Sequence, residues 1–220
     1  LADPTESSLL REIDEELRQE RLKKLWQRHG WAVAVAALAV VAAVAGYQGW
    51  RAYDLKARRE AGERLAAAQA LAERAQPEVA AAAFAELARD AGSGYALLAR
   101  FQEAALLARS GDRAGAAARY RALAEGAGGD ALYRDLAVLL GAMHEAGMAD
   151  PALLAERIEP LTRPGNPWRH SARELAAALA EMKGERQRAK ELYAALGADA
   201  EAPESLRRRA DEMLEILERR

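Results

Sequence analysis

Ala116-Ala117-Ala118-Arg119-Tyr120-Arg121-Ala122-Leu123 decides how this chain folds, because its skeleton, Ala116-x-x-x-Tyr120-x-x-Leu123, recurs. Ala80-x-x-x-Phe84-x-x-Leu87 precedes it by 36 residues, and Ala189-x-x-x-Tyr193-x-x-Leu196 follows it by 73. The second interval is two periods, and a degenerate copy, Leu154-x-x-x-Ile158-x-x-Leu161, fills the gap. A second series keeps the same beat: Gly111, Gly147 and Gly184, spaced 36 and 37 apart, each close a helical stretch. A period near this length marks stacked helix-turn-helix units of about 34 residues, lengthened slightly at their turns. The small residue lets two helix backbones approach, and Phe84, Tyr120 and Tyr193 fill the space between successive units.

Turn chemistry sets the boundaries. Asp112 follows Gly111, Asp150-Pro151 follows Gly147, Asn166-Pro167 follows Gly165, and Asp130 follows Gly128-Gly129. Each is a C-terminal glycine followed by an N-cap, twice with proline at the first helical position. The reading is of helix pairs at 53–73 with 77–90, 95–109 with 112–125, 131–146 with 151–161, and 167–183 with 185–197. A last helix, 203–219, carries an apolar stripe (Leu206, Ala210, Met213, Leu214, Leu217) on a charged surface, as the cap of a solenoid must. The repeat core is then Phe84, Leu87, Tyr120, Leu123, Ile158, Leu161, Tyr193 and Leu196, and the repeat turns are Gly111, Gly147 and Gly184. Trp168 fits either the core or an exposed anchor.

Composition agrees with an all-α chain. Of 220 residues 56 are alanine, the best helix former and a poor strand former. The absence of cysteine excludes disulfides and thiolate metal sites. His29, His144 and His170 lie far apart and lack metal-ligand spacing. A net charge of −2, well mixed along the chain, gives no electrostatic case for nucleic acid. G-x-S-x-G, H-E-x-x-H and Walker sequences are missing, so no catalytic residue, cofactor or small-molecule substrate is expected. The adjacent His144 and Glu145 read as a solvated helix end.

Upstream of the repeats, residues 31–47, WAVAVAALAVVAAVAGY, hold no charge. At about 1.5 Å per residue they cover roughly 25 Å, just enough, with their flanks, for a hydrocarbon core of about 30 Å. Trp26 and Trp31 on one side and Tyr47, Trp50 and Tyr53 on the other stand where membrane-interface aromatics belong. The alternatives are a buried Ala/Val-rich core helix, or a signal peptide cut after Ala43-Val44-Ala45. The domains expected are therefore a charged amphipathic leader helix (1–30), a transmembrane helix (31–50) and a repeat domain (51–220). The leader has apolar residues at Leu9, Leu10, Ile13, Leu17 and then Leu25 and Trp26, with acidic residues first and basic residues nearest the span; it reads as a solvated helix or as one that docks on a membrane partner. Lys and Arg tie at five within fifteen residues on each side of residues 31–50, so charge leaves orientation open. A short leader before a long C-terminal domain favours a cytoplasmic N-terminus.

The leader LLREIDEELRQERLKKLWQRHG, the Ala/Val helix and the exit Ala45-Gly46-Tyr47-Gln48-Gly49-Trp50 resemble the N-terminus of the YfgM-like family, and the likeness extends through the repeat domain and terminal helix. That resemblance implies a bacterial inner-membrane protein with a single anchor and a periplasmic tetratricopeptide-like domain. It implies an ancillary subunit of the SecYEG translocon, working beside a PpiD-like membrane-anchored chaperone. It carries over no residue-level site. The expected function is a membrane-anchored scaffold, not an enzyme; the alternative is an adaptor for another envelope-assembly or cell-division complex, including one facing the cytoplasm.

Overall fold

The structure is a computed structural model describing residues 4–74, 76–90, 92–126 and 130–219, with side chains described from residue 23 onward except at 24, 25, 28 and 93. The side chains of Leu9, Leu10, Ile13, Leu17 and Leu25 in the leader's apolar stripe lie outside those described, and the Gly128-Gly129 turn lies outside the described residues. Its helices are α1 (Pro4–Glu73), α2 (Pro77–Asp90), α3 (Ser93–Arg109), α4 (Arg113–Gly126), α5 (Ala131–Glu145), α6 (Pro151–Ile158), α7 (Arg169–Met182), α8 (Arg186–Gly197) and α9 (Glu204–Arg219). Among the described residues there is no β-strand, and the chain is all-α. The expected boundaries at 30/31 and 50/51 both fall inside α1, and contacts divide the chain between Ala57 and Arg58.

In the first unit, Val33, Val35, Leu38, Val40, Val41 and Val44 are all exposed on α1. The helix is long and apolar enough here to cross a membrane, and none of its most apolar window is covered by the rest of the chain. Trp31 and Trp50 are separated along the axis by about 28 Å at 1.5 Å per residue.

The second unit is built from antiparallel pairs. Ala61 and Ala68 at the end of α1 pack on Ala80, Phe84 and Leu87 of α2 and on Ala99 and Leu106 of α3. Ala104, Ala116, Tyr120, Leu123 and Ala137 join α3, α4 and α5. Leu139 and Ala142 of α5 meet Leu154 and Ile158 of α6, then Leu175 and Leu179 of α7. Ala189, Tyr193 and Leu196 of α8 close on Ala210 and Leu217 of α9, which caps the stack. Alanines at the contacts are what bring the backbones together. Gly141 shows how near α4 and α5 come: a Cβ there would meet the Tyr120 Cβ at 3.4 Å.

Gly111, Gly147, Gly165 and Gly184 all have φ between +79° and +92°, a conformation that only glycine adopts without strain. After Gly111 and Gly184 the chain folds back identically, Asp112 N–H donating to Leu107 O at 2.9 Å and Glu185 N–H to Ala180 O at 2.9 Å. The next residue repeats too: Arg113 donates to Ala146 O at 3.0 Å, and Arg186 to Leu217 O at 2.6 Å. In both places a cation at the start of one helix satisfies orphan carbonyls at the end of the helix after it.

The helix expected over 53–73 does not start there: α1 runs unbroken from Pro4 to Glu73, because no proline or glycine turn interrupts it between the apolar stretch and the repeats. Two later boundaries also differ from the sequence reading. The helix expected over 151–161 stops at Ile158 and tightens into a 3₁₀ turn, Glu159–Thr162, because Pro160 has no N–H to continue the α-ladder. Leu161 is buried nonetheless. The helix expected from 167 begins at Arg169, because Asn166 accepts from the Trp168 N–H at 2.9 Å and holds Pro167-Trp168 as a turn.

Ala189→Leu, which forces a larger side chain into a fully buried contact, is expected to cost about 1–3 kcal/mol. Ala194→Leu, on the exposed side of the same helix, should leave the urea midpoint almost unchanged. Equal midpoints for the two variants would rule out close approach at Ala189.

Candidate functional site

Helices α5 and α7, the first members of successive pairs, and the capping helix α9 line one face of the repeat unit. Between them runs a groove of about 650 Å³. Leu136, Leu140 and Met143 form its α5 wall, and Leu175, Trp168 and Met213 complete the apolar surface. The α5 positions share a face because they recur at helical spacing. The rim is polar: Arg209 clamps Glu174 with two bonds, at 2.7 and 2.9 Å, and Glu212 lies alongside. This volume falls within the range of ligand clefts, and methionine suits a surface that must adapt to more than one side chain.

Trp168 combines the two roles left open by the sequence. Its ring is half-buried against the core cluster of α5, α6 and α7, and its Nε1–H donates to Leu132 O at 2.9 Å. Tyr193 lines the bottom of the groove. Burial, followed by the nearby charges of Glu181 and Glu174, pushes its pKa up to about 12, so it remains a neutral hydroxyl at physiological pH.

Glu145 corrects a reading of the sequence. It is no solvated helix end but a carboxylate only 6% exposed, bound by Arg121 at 2.6 Å and Arg157 at 2.7 Å. Three helices, α4, α5 and α6, are tied together through this group. Burial pushes its pKa up, but the bonds and charges of Arg121 and Arg157 outweigh this and hold it below the ordinary range. His144 beside it stacks on Tyr120, with ring centres 5.7 Å apart and planes within 4°. Burial, then the Arg113 charge, lower its pKa, so the ring is neutral. His170 is also buried, with Asp199 Oδ2 at 3.5 Å from Nδ1.

Phe84, Leu87, Tyr120, Leu123, Ile158, Leu161, Tyr193 and Leu196 are all buried between helices, and of these Tyr193 also lines the groove. Gly111, Gly147 and Gly184 sit at inter-helix turns. Trp26, Trp31, Tyr47, Trp50 and Tyr53 are exposed on α1, in the other unit. The groove residues Leu136, Leu140, Met143 and Met213 were not singled out as a site, although the α5 stripe is present in the sequence. Nothing local marks Glu145, whose two arginines come from other helices.

Compared with models of known families, residues 23–215 match the tetratricopeptide repeat-like domain. The chain belongs to that family. No curated protein and no solved structure matches it. A tetratricopeptide repeat-like domain is a protein-interaction scaffold, whose stacked helices offer extended surfaces to a partner. The match begins at Lys23, so it takes in the apolar stretch of α1 as well as the helix pairs.

Because the folded pKa of Glu145 lies below its unfolded value of about 4.3, its contribution to stability is complete above that pH and is lost as the pH falls through the folded value. Glu145→Gln is expected to cost about 1–3 kcal/mol at pH 7, with a smaller fall in stability on acidification. Urea unfolding at pH 7 and well below the unfolded carboxylate value, at about pH 3, measures both; parallel losses for the variant and the parent would contradict the assignment.

Proposed function

We propose that this chain is a membrane-anchored scaffold of the bacterial inner membrane, ancillary to the Sec translocon and linked to periplasmic chaperoning of translocated proteins. The groove between α5, α7 and α9 carries the scaffold part of the reading, since it presents a continuous apolar strip with a polar rim and offers spread contacts to a polypeptide segment. Anchoring is supported by the exposed valines and Leu38 of α1, which no other described residue covers, and by the aromatic residues at either end of that stretch. The translocon and the PpiD-like chaperone are proposed from the resemblance of the leader and span to YfgM-like proteins. A cytoplasmic N-terminus and a periplasmic repeat domain belong to the same reading.

Photocrosslinkers placed at Leu140 and Met213 in intact membranes are expected to form adducts with translocon subunits or a membrane-anchored chaperone. Adducts with unrelated proteins alone would overturn that assignment. Orientation has its own test, because the chain lacks cysteine and Arg208→Cys would be unique. Labelling of Arg208→Cys by a membrane-impermeant maleimide added from the periplasmic side is expected. Labelling only after the inner membrane is opened would favour the cytoplasm-facing adaptor, which the five-against-five tie of flanking cations also allows.

A further inference from the structure

The repeat builds the same groove twice. One, of about 340 Å³, lies between α2, α3 and α4. Another, of about 350 Å³, lies between α6, α7 and α8. A shift of 73 residues carries Arg100 onto Arg173, Ala122 onto Ala195 and Leu123 onto Leu196, all of which line the grooves. The same shift superimposes buried Ala104 on buried Ala177 and the left-handed Gly111 on Gly184, which fixes the correspondence.

In the later groove the arginine is satisfied from within the chain. Arg173 donates from Nη1 to Asp199 Oδ2 at 3.1 Å and from Nε to Thr162 O at 3.1 Å. Asp199 stands three residues beyond Leu196; three residues beyond Leu123 stands Gly126, followed by Ala127-Gly128-Gly129. The earlier repeat thus keeps the arginine and lacks the carboxylate. Among the described residues Arg100 and Arg89 have no hydrogen-bond or ion-pair partner, while Arg119 is paired with Glu103 at 3.1 Å. Three guanidinium groups and one carboxylate leave the groove with an excess of two positive charges, over a floor of alanine and leucine. Where Asp199 stands in the later repeat, a Cβ on Gly126 would meet none of the described residues within 4 Å.

We propose that the groove between α2, α3 and α4 binds a carboxylate of a partner polypeptide, which Arg100 holds as Arg173 holds Asp199. Guanidinium recognises carboxylate through paired, charge-assisted bonds, and Arg89 adds long-range attraction. The fold itself supplies the template, because its other copy of the site contains the bound state. The inference stands on Arg100 and Gly126, and it holds whichever partner the chain meets at the membrane.

Fluorescence anisotropy of the full chain in nanodiscs tests it with two labelled octapeptides of alternating alanine and either aspartate (amidated C-terminus) or asparagine (free C-terminus). Binding of the first assigns a side-chain carboxylate, and binding of the second a chain terminus. Arg100→Ala is expected to weaken binding by about tenfold or more. Arg188→Ala, an equal change of net charge in the later groove, should alter it less than about twofold. Gly126→Asp supplies the missing internal carboxylate and is expected to abolish binding while the urea midpoint stays level or rises. The proposal falls if neither peptide binds, if Arg100→Ala and Arg188→Ala weaken binding equally, or if Gly126→Asp leaves it intact. It also falls if only inorganic phosphate or phosphatidylglycerol vesicles bind in an Arg100-dependent manner.

Discussion

Alanine at the helix crossings is the constraint on which the rest of this molecule depends. Ala80, Ala104, Ala116, Ala137 and Ala189 are fully buried, and each stands where two helices cross. A methyl group keeps the backbones close enough for dispersion contacts to run along the whole crossing, and it loses no rotamer entropy on burial. It also removes little apolar area from water, so an alanine crossing contributes less than a leucine one. The aromatic and aliphatic knobs at Phe84, Tyr120, Ile158 and Tyr193 supply what the alanines lack.

Thin crossings also explain why charged side chains tie neighbouring helices together. Glu145 binds arginines from α4 and α6, and Arg113 and Arg186 each cap the end of the helix that follows their own. Arg209 of α9 clamps Glu174 of α7. These contacts fix which helix end meets which, a matter that near-uniform alanine surfaces leave loosely specified. Burying the Glu145 carboxylate is tolerable because both of its oxygens are bonded by cations whose other atoms remain in water.

Repeats that share a backbone are free to differ in side chains, and the functional surfaces arise from those differences. The groove of α5, α7 and α9 is apolar because α5 turns leucine and methionine toward it. The two grooves between second-member helices share their walls, but one closes its arginine with Asp199 and the other leaves Arg100 without an acceptor. On α1 the most apolar stretch is covered by none of the other described residues.

Local rules made the helices legible. The 36-residue period, the glycine turns and the aspartate caps depend on residues a few positions apart, and the helix ends fall within two or three residues of where those signals put them, apart from the start expected at 53, which lies inside the unbroken α1; the shortened α6 is the largest of the small differences. Even there the cause, Pro160, is printed in the sequence. The apolar stretch of 31–47 is equally local, since hydropathy needs no partner to be read. Partnerships across repeats were a different matter. That Glu145 is a buried ion-pair centre, that Trp168 is both packed and hydrogen-bonded, and that Arg173 has an acceptor while Arg100 has none follow from which helices come to lie side by side. The sequence by itself determined an all-helical repeat with a long apolar helix before it, because those properties are set by spacing along the chain. Only the tertiary structure decided which charges are buried and which grooves are open, because burial and ion pairing depend on distances between residues 12 to 35 positions apart.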